Sequence, residues 1–367
     1  MIYFGDTELY GVKIGNTDIS AIYAGDLLIW PTDFGNLTAI TFEDLTWEID
    51  VPSSGGTATS ANCSFKVYAL FDSGKRKNIT STATITGSLE VGETTSPTRE
   101  SVGTITLTAS YSGFTDTVSV TAYQEAYVED WSTKYLTFKI KSDGFVRWVH
   151  IRSAYTRTIY YSKDNGNTWT ALPSQLGSEM DDTGGAKVSV TAGETVIFKG
   201  TNATYGAGGY YISFERTSCD FELCGNFLSL IYGDNFANYT TMPGSSTHSF
   251  RNFFSNCTGL TSAENLILPS NVLPYCYNWS FQSCTKMTIA PTLPAKSLAR
   301  GCYSRMLRNN PNLAYVKCLA TSGINTTNTE NWLNNVSSTG TFVKAEGTTW
   351  PTGTSGIPSG WTVVDNS

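Results

Sequence analysis

Apolar and other residues alternate with a period of two along much of the chain. Within residues 63–71 the apolar positions are Cys63, Phe65, Val67, Ala69 and Phe71. The same period recurs at 105–109, 118–120, 136–140, 188–190 and 196–198. Gly- and Ser-rich turn signals separate these runs, at 53–56, 72–74 and 111–113. This pattern is typical of short antiparallel strands, and it predicts an all-β, modular and elongated protein.

Changes in the pattern divide the chain into four segments. Residues 1–34 carry short repeated turns, and residues 35–127 carry alternating strands typical of an Ig-like sandwich. Residues 128–220 predict a second β-sandwich. Residues 221–367 contain a longer internal repeat, which predicts a short solenoid with a C-terminal cap.

The first segment repeats a Gly-Asp or Gly-Asn pair every ten residues. Such pairs between β-branched and aromatic residues indicate three short strands joined by tight turns. A piece of fewer than about 40 residues is marginally stable by itself, so we expect it to need a partner, either the rest of the chain, identical subunits or another protein. The turn residues are Gly5, Asp6, Gly15, Asn16, Gly25 and Asp26.

One stretch of the third segment, residues 162–169, matches the Asp-box pattern Ser-x-Asp-x-Gly-x-Thr-Trp of sialidases and other β-propellers. Its defining residues are Ser162, Asp164, Gly166 and Trp169. The aspartate binds turn amides and the glycine adopts a conformation that other residues avoid. A propeller repeats the box in blades of about 40 residues each, and this chain has a single box. The box therefore predicts a structural turn.

The internal repeat of the last segment has a period of 26 to 27 residues. It aligns Phe254 with Phe281 and Leu307, and it aligns Cys257 with Cys284. In this alignment Asn310 takes the cysteine position of the third unit, and Cys276 corresponds to Cys302. A period of this length is typical of solenoids, in which each unit is buried only by its neighbours. Thr327-x-x-Glu330 predicts a capped short helix downstream that carries Trp332 and Leu333.

Composition narrows the range of functions. The net charge of −7 and the absence of a basic patch argue against nucleic acid as a partner. No run approaches eighteen apolar residues, so membrane insertion is not expected. Met1–Gly15 lacks the pattern of a secretory signal. The eight cysteines have no zinc-site spacing and are expected to be buried thiols, so we expect no metal and no cofactor.

Catalytic chemistry has weak support in the sequence. Glu179, Asp181 and Asp182 are candidate carboxylates for glycoside hydrolysis, but their loop-like stretch favours a solvated loop. A serine triad would need His150 or His248 as its base, and the chain has no nucleophile-elbow pattern. The expectation is a protein that is not an enzyme.

Binding is easier to support. Aromatic rings in an Asn-, Ser- and Thr-rich setting are candidates for stacking on sugars or for contact with a protein. An alternative is that these aromatic side chains fill the interior of the solenoid. The candidates are Tyr275, Tyr277, Trp279, Tyr303 and Trp332.

Two parts of the chain resemble known families. Residues 51–88 are similar to bacterial Ig-like domains, including the carbohydrate-associated (BACON-like) type. The Phe-x-x-Cys-Thr-x-Leu/Met-Thr core and the stretch from Leu293 to Tyr303 resemble BspA-like leucine-rich repeats. Both are abundant in Bacteroides surface proteins and in phages of that group. The chain therefore resembles fibre or receptor-binding virion proteins of Bacteroides-infecting (crAss-like) phages.

This resemblance implies a structural virion protein, either a tail or head fibre or a decoration protein. It implies attachment to other virion proteins through the N-terminus and homo-oligomerisation. The C-terminal repeats would bind a host-surface glycan or protein. The protein would be made in the host cytoplasm and exposed on the particle surface. Two alternatives stay open: a bacterial cell-surface adhesin with carbohydrate-binding modules, and a capsule-degrading glycosidase.

Overall fold

A computed structural model describes residues 34–152, 156–207, 209–244 and 247–366, together with six short strands between residues 3 and 30. The chain divides into two compact units, Met1–Glu129 and Asp130–Ser367. Strands make up 41% of the structure and helices 5%. The predicted all-β class is therefore confirmed.

Unit 1 begins with three antiparallel strand pairs, β1–β2, β3–β4 and β5–β6. The sequence predicts three strands in this segment, whereas the structure has six. The predicted turn residues Gly5, Asp6, Gly15, Asn16, Gly25 and Asp26 lie outside the described residues. The strands are β1 (Tyr3–Phe4), β2 (Thr7–Glu8), β3 (Val12–Ile14), β4 (Thr17–Ile19), β5 (Ile22–Ala24) and β6 (Leu27–Trp30).

Nine further strands and one 3₁₀ turn, Ser60–Asn62, complete unit 1. They form a three-stranded sheet in the order β11-β10-β7, a four-stranded sheet in the order β12-β14-β15-β8, and the pair β13-β9. The strands are β7 (Leu37–Glu43), β8 (Ile49–Val51), β9 (Gly56–Thr59), β10 (Lys66–Phe71), β11 (Arg76–Asn78), β12 (Thr84–Thr86), β13 (Ser88–Val91), β14 (Glu100–Tyr111) and β15 (Phe114–Gln124).

The two larger sheets of unit 1 share a hydrophobic core. Val67 and Ala69 of β10 pack in one cluster with Ala109 of β14, as the period-two pattern predicts. The long hairpin β14–β15 turns through Ser112 and Gly113, which both have positive φ, at 48° and 85°. Two consecutive residues with positive φ form a type I′ turn, whose twist matches that of the two flanking strands.

The described residues of unit 2 form the remaining strands, one short helix and 3₁₀ turns at Trp131–Thr133 and Gly233–Asn238. Its elements are β16 (Leu136–Ile140), β17 (Gly144–Ile151), β18 (Thr158–Ser162), β19 (Thr170–Pro173), β20 (Gln175–Leu176), β21 (Ala186–Val190), β22 (Thr195–Gly200), β23 (Gly206–Ala207), β24 (Tyr210–Ser213), β25 (Phe221–Asn226), α1 (Ser229–Tyr232), β26 (Leu260–Ile267), β27 (Tyr315–Cys318), β28 (Gly340–Ala345) and β29 (Trp361–Asn366).

Strand β25 joins the two parts of unit 2. It pairs antiparallel with β16 and parallel with β26, so the sheet order β19-β18-β22-β16-β25-β26 continues from one part into the other. One hydrophobic cluster runs from Leu136 to Trp361. The boundary predicted at residue 220 therefore falls inside a single compact unit, because β25 pairs with β16 on one side of that boundary and with β26 on the other.

The repeat of the last segment forms coils that stack in parallel. Along residues 275–283 alternate amides donate to the next coil, such as Tyr277 N–H to Cys302 O and Phe281 N–H to Met306 O. The amides between them donate within their own coil to the carbonyl three residues earlier. A parallel ladder with successive rungs at Ser262, Ile289, Tyr315, Thr341 and Thr362 lines the other side of the coils. Both sides satisfy the backbone groups that burial would otherwise leave unpaired.

The stack is longer than the three units predicted. We number the coils from coil 1 (210–226), which begins inside the predicted second sandwich and ends just beyond its predicted boundary at residue 220. Phe214 donates its N–H to Phe253 O and stacks on the Phe254 ring at 5.8 Å, so it is the equivalent of Phe254 in the preceding coil. The following coils are coil 2 (247–268), coil 3 (274–295), coil 4 (300–320) and coil 5 (327–345).

The predicted helix at Thr327–Glu330 is wrong. These residues begin coil 5, in which Trp332 N–H donates to Thr329 O three residues earlier. The carbonyl of Glu330 instead accepts from Arg305 of coil 4. Stacking on the neighbouring coil therefore replaces the hydrogen bonds that a helix would make.

Candidate binding cleft

Three of the five predicted binding residues lie in the interior, so the prediction that they bind a ligand is wrong and the alternative, that they fill the solenoid, holds for them. Tyr277 and Tyr303 are each 1% exposed, and Trp332 is fully buried. Their rings form a column along the coils, with centroids 6.2 Å apart at each step. Their positions point inward in every coil, so they stabilise the stack and offer nothing to a ligand.

Tyr275 and Trp279 are half-buried at the surface. The ring of Tyr275 stacks on His248 at 5.0 Å and covers Gly301, where an added Cβ would lie 2.4 Å from the ring. The indole of Trp279 lies beneath the guanidinium groups of Arg251, at 4.8 Å, and Arg305, at 5.4 Å. These contacts cover ring faces that a sugar would need for stacking.

A polar cleft of about 380 Å³ lies beside Trp279. It spans three successive coils, because Tyr211 and Glu215 of coil 1, Asn252 of coil 2 and Gln282 of coil 3 all line it. The loop between β20 and β21 closes one side. The other lining residues are Arg152, Glu179, Met180, Arg251, Ser255 and Asn256.

Arg147, which is fully buried, holds that loop in place. Its guanidinium donates to the carbonyls of Thr183 at 2.8 Å, Gly184 at 3.2 Å and Ser178 at 3.3 Å. Gly185 must stay small, because an added Cβ would lie 2.9 Å from the Arg147 side chain. The loop therefore wraps around one buried cation, which brings Glu179 to the cleft.

Glu215 faces the same cation from the other side. Its Oε1 lies 3.7 Å from an Arg147 nitrogen, a separation too long for a hydrogen bond. Burial raises the pKa of Glu215 to about 7, although Arg147 opposes the shift. A buried carboxylate needs close partners to stay ionised, and this one has an incomplete set.

Tyr211 connects the two carboxylates of the cleft. Its hydroxyl donates to Glu215 Oε2 at 3.2 Å and approaches Glu179 Oε1 at 3.5 Å. Glu179 also pairs with Arg152 at 2.5 Å, and its carbonyl accepts from Arg216 at 2.8 Å. These contacts fix the Glu179 carboxylate at the edge of the cleft with its charge balanced.

The outward positions of the coils have left-handed backbone. Asn252 and Asn331 have φ near 55° and 50°, and asparagine tolerates this conformation. Trp279 and Arg305 occupy the equivalent positions of coils 3 and 4 with φ of 58° and 55°. Left-handed backbone costs such residues about 1 kcal/mol each. Strained residues of this kind cluster at functional sites, so the side chains of Trp279 and Arg305 are candidates for a role in binding.

The Asp-box residues form a tight turn away from the cleft lining. The Asp164 carboxylate accepts from Ser162 Oγ at 2.6 Å and from the Thr168 amide at 2.9 Å, and these bonds lower the pKa of Asp164 to about 2. Gly166 has φ of 90°, and Trp169 packs edge-on against Tyr135 at 5.1 Å. The contacts of Asp164 and Trp169 therefore stabilise the turn and pack it against the rest of unit 2, which agrees with the structural role that the sequence predicts.

The other candidate residues have local roles. Asp181 accepts from the Thr183 amide and hydroxyl within its own loop, and these bonds lower its pKa. His150 is buried with Nδ1 3.2 Å from Ser174 Oγ. Asp182 is exposed. In the described part of the chain there is no cluster of three metal-ligating residues, and no helix there is long and apolar enough to cross a membrane.

Sequence reasoning missed most of this cleft. The residues around the cleft come from two of the predicted segments, and their meeting depends on coil 1 stacking against coil 2. Arg147, Tyr211 and Glu215 belong to residues 128–220, and Arg251 and Gln282 belong to residues 221–367. One signal was present: Asn252 and Asn256 are four residues apart, as are the left-handed positions of coils 2 to 5. Comparison with protein families, curated proteins and solved structures found no significant match.

Proposed function

We propose that this chain is a structural virion protein of a bacteriophage, a tail or head fibre or decoration protein, that binds a host-surface saccharide in the cleft of unit 2. The N-terminal strands attach it to other virion proteins and to identical subunits. In this proposal residues 35–127 are an Ig-like domain and residues 221–367 are BspA-like leucine-rich repeats. The support is the resemblance of residues 51–88 and 250–303, together with the shared core of unit 1 and the stacked coils of unit 2.

The observation that carries the binding role is the cleft itself. It gathers two arginines, two glutamates, two asparagines and a glutamine around a volume of about 380 Å³. Glu179 is paired with Arg152, and the side-chain oxygens of Asn252 and Gln282 have no hydrogen-bond partner, so these amides suit a ligand rich in hydroxyl groups. Trp279 and Arg305 beside it hold an unfavourable backbone conformation, as residues kept for function often do.

A second candidate is glycoside hydrolysis. The pKa of Glu215, raised to about 7 by burial, is the value that a general acid needs, and Glu179 is a second carboxylate in the same cleft. Against this, Glu215 is 2% exposed, and its oxygens face Arg147 and Tyr211. A glycosidic oxygen would have to compete with Tyr211 and Arg147 for the Glu215 carboxyl group. The proposal therefore excludes catalysis.

The test uses the full chain and purified surface polysaccharide from a Bacteroides-type host, immobilised on a biosensor. We expect binding, with about a fivefold to tenfold loss of affinity in Gln282→Ala, because one lost hydrogen bond costs about 1–1.5 kcal/mol. Lys296→Ala, at an exposed position between coils 3 and 4 and outside the cleft, is the control and should bind normally. Binding only to a protein receptor, or equal loss in both variants, would refute the saccharide site.

Two further measurements separate the alternatives. Antibody labelling of intact phage particles tests the virion assignment, and labelling of bacterial envelopes instead would favour an adhesin. Prolonged incubation with the same polysaccharide should release no reducing ends. Release that is abolished in Glu215→Gln would establish the glycosidase and overturn the non-enzymatic proposal.

A further inference from the structure

We infer that the ligand is a linear polysaccharide that runs along the stacking axis of the coils, with successive sugars contacting equivalent side chains of successive coils. This inference rests on the proposed saccharide-binding function and specifies its ligand class. It predicts that the contact surface extends beyond the cleft, across coils 4 and 5.

The first support is the row of outward residues. Asn252, Trp279, Arg305 and Asn331 occupy the same position of coils 2 to 5, because Asn252 N–H donates to Asn278 O, Trp279 N–H to Ser304 O and Arg305 N–H to Glu330 O. All four have left-handed backbone and half-buried side chains. The row is therefore a continuous line of side chains along the surface.

A second row runs parallel to the first, three residues further along each coil. Its half-buried members are Gln282, Arg308 and Asn334. Their backbone carbonyls accept hydrogen bonds from the amides of Asn256, Ser283 and Asn309, each of which lies in the preceding coil. Amide and guanidinium groups make up most of both rows. Amides donate hydrogen bonds to hydroxyls and accept hydrogen bonds from them, and guanidinium groups donate to hydroxyl oxygens.

The spacing of the coils suits a polymer. Adjacent hydrogen-bonded backbone segments lie about 4.8 Å apart, which is similar to the advance of one sugar in an extended chain. The cleft already follows this direction, because three successive coils line it. One sugar per coil would keep the same contacts at every step, and contacts in series increase affinity with ligand length.

The experiment measures affinity against length. The probes are oligosaccharides, from disaccharide to octasaccharide, made by partial hydrolysis of the polysaccharide that binds the chain. We expect affinity to rise at least about tenfold from disaccharide to pentasaccharide and then level off. Full affinity for the disaccharide would overturn the inference while leaving the saccharide site intact. Failure of every saccharide to bind would defeat both proposals.

The second arm uses Asn331→Gly, which removes a side chain two coils from Trp279 and keeps the left-handed backbone. Disaccharide affinity should be unchanged, and octasaccharide affinity should fall by about threefold or more. Lys296→Ala should affect neither ligand. An unchanged octasaccharide affinity in Asn331→Gly, or an equal loss for both lengths, would contradict a polymer running along the row.

Discussion

Trp279 and Arg305 occupy equivalent positions in neighbouring coils, and the guanidinium carbon of Arg305 lies 5.4 Å from the centre of the indole ring. Both residues hold the left-handed backbone that Asn252 and Asn331 adopt at the same position. Two large side chains at strained positions beside the polar cleft connect the architecture of the coils to the proposed binding.

Trp279 and Trp332 are expected to respond differently to substitution. Trp279→Asn removes strain of about 1 kcal/mol and loses cation–π contacts of similar size, so the free energy of unfolding should change by less than about 1 kcal/mol. Trp332→Ala should lose about 3–5 kcal/mol, because the buried ring leaves a cavity. Urea denaturation measures both. Equal losses in the two variants would refute the assignment of Trp279 to the surface.

Tyr277→Phe is expected to stabilise the protein or leave it unchanged. The hydroxyl of Tyr277 is buried and has no hydrogen-bond partner, so removing it deletes an unsatisfied polar group. Such a group costs about 1–3 kcal/mol. Thermal unfolding should therefore show an equal or higher Tm than in the native chain. Tyr205→Phe is the contrast and should lower the Tm, because the Tyr205 hydroxyl donates to Leu230 O at 2.5 Å.

Glu215 predicts a pH dependence of stability. Burial raises its folded-state pKa from 4.5 to about 7, so the protonated form is favoured in the folded protein. Its contribution is fully present below pH 4.5 and is lost as the pH rises through about 7. The loss is about 3 kcal/mol by linkage.

The variant Glu215→Gln isolates this contribution, since glutamine does not titrate. Unfolding free energies of both proteins at pH 5 and pH 8 give the measurement. The native chain should lose about 2–3 kcal/mol relative to the variant between these values. A difference that is the same at both pH values would show that Glu215 titrates normally.

The cysteines are expected to differ in reactivity. Seven of the eight are buried, and burial raises the pKa of Cys257 and Cys276 to about 12, so their thiolates are scarce at neutral pH. Cys63 is partly exposed. A thiol reagent at pH 8 should titrate one cysteine in the native chain and eight after denaturation. Cys63→Ser should remove the rapid reaction, and persistence of that reaction would indicate an open unit 2.

The sequence predicts the positions of the strands better than it predicts which segments lie next to each other. Period-two alternation locates β10, β14 and β16, and the 26- to 27-residue period aligns Phe254 with Phe281 in the register that the hydrogen bonds show. It does not show that Phe214 begins the stack. The segment around Phe214 lacks the repeated cysteine motif. Its place in the stack depends on hydrogen bonds from the amides of Phe214 and Arg216 to the carbonyls of Phe253 and Ser255.

The candidate site was harder to predict for the same reason. Tyr275, Tyr277 and Trp279 are spaced two residues apart, yet Tyr277 points inward while the other two lie at left-handed positions of the surface. The left-handed backbone that recurs every four residues decides which side chains point outward, and the amino-acid composition of these positions does not reveal it. Arg147 and Glu215 are 68 residues apart in sequence and meet only because β17 and coil 1 pack together.

Hydrogen–deuterium exchange of the full chain, with and without the host polysaccharide, tests the central claim most directly. The account predicts slower exchange on saccharide addition in residues 177–185, 251–256 and 279–283, which surround the cleft. Protection confined to residues 35–129 of unit 1 would contradict it, because the bound surface would then lie outside the cleft.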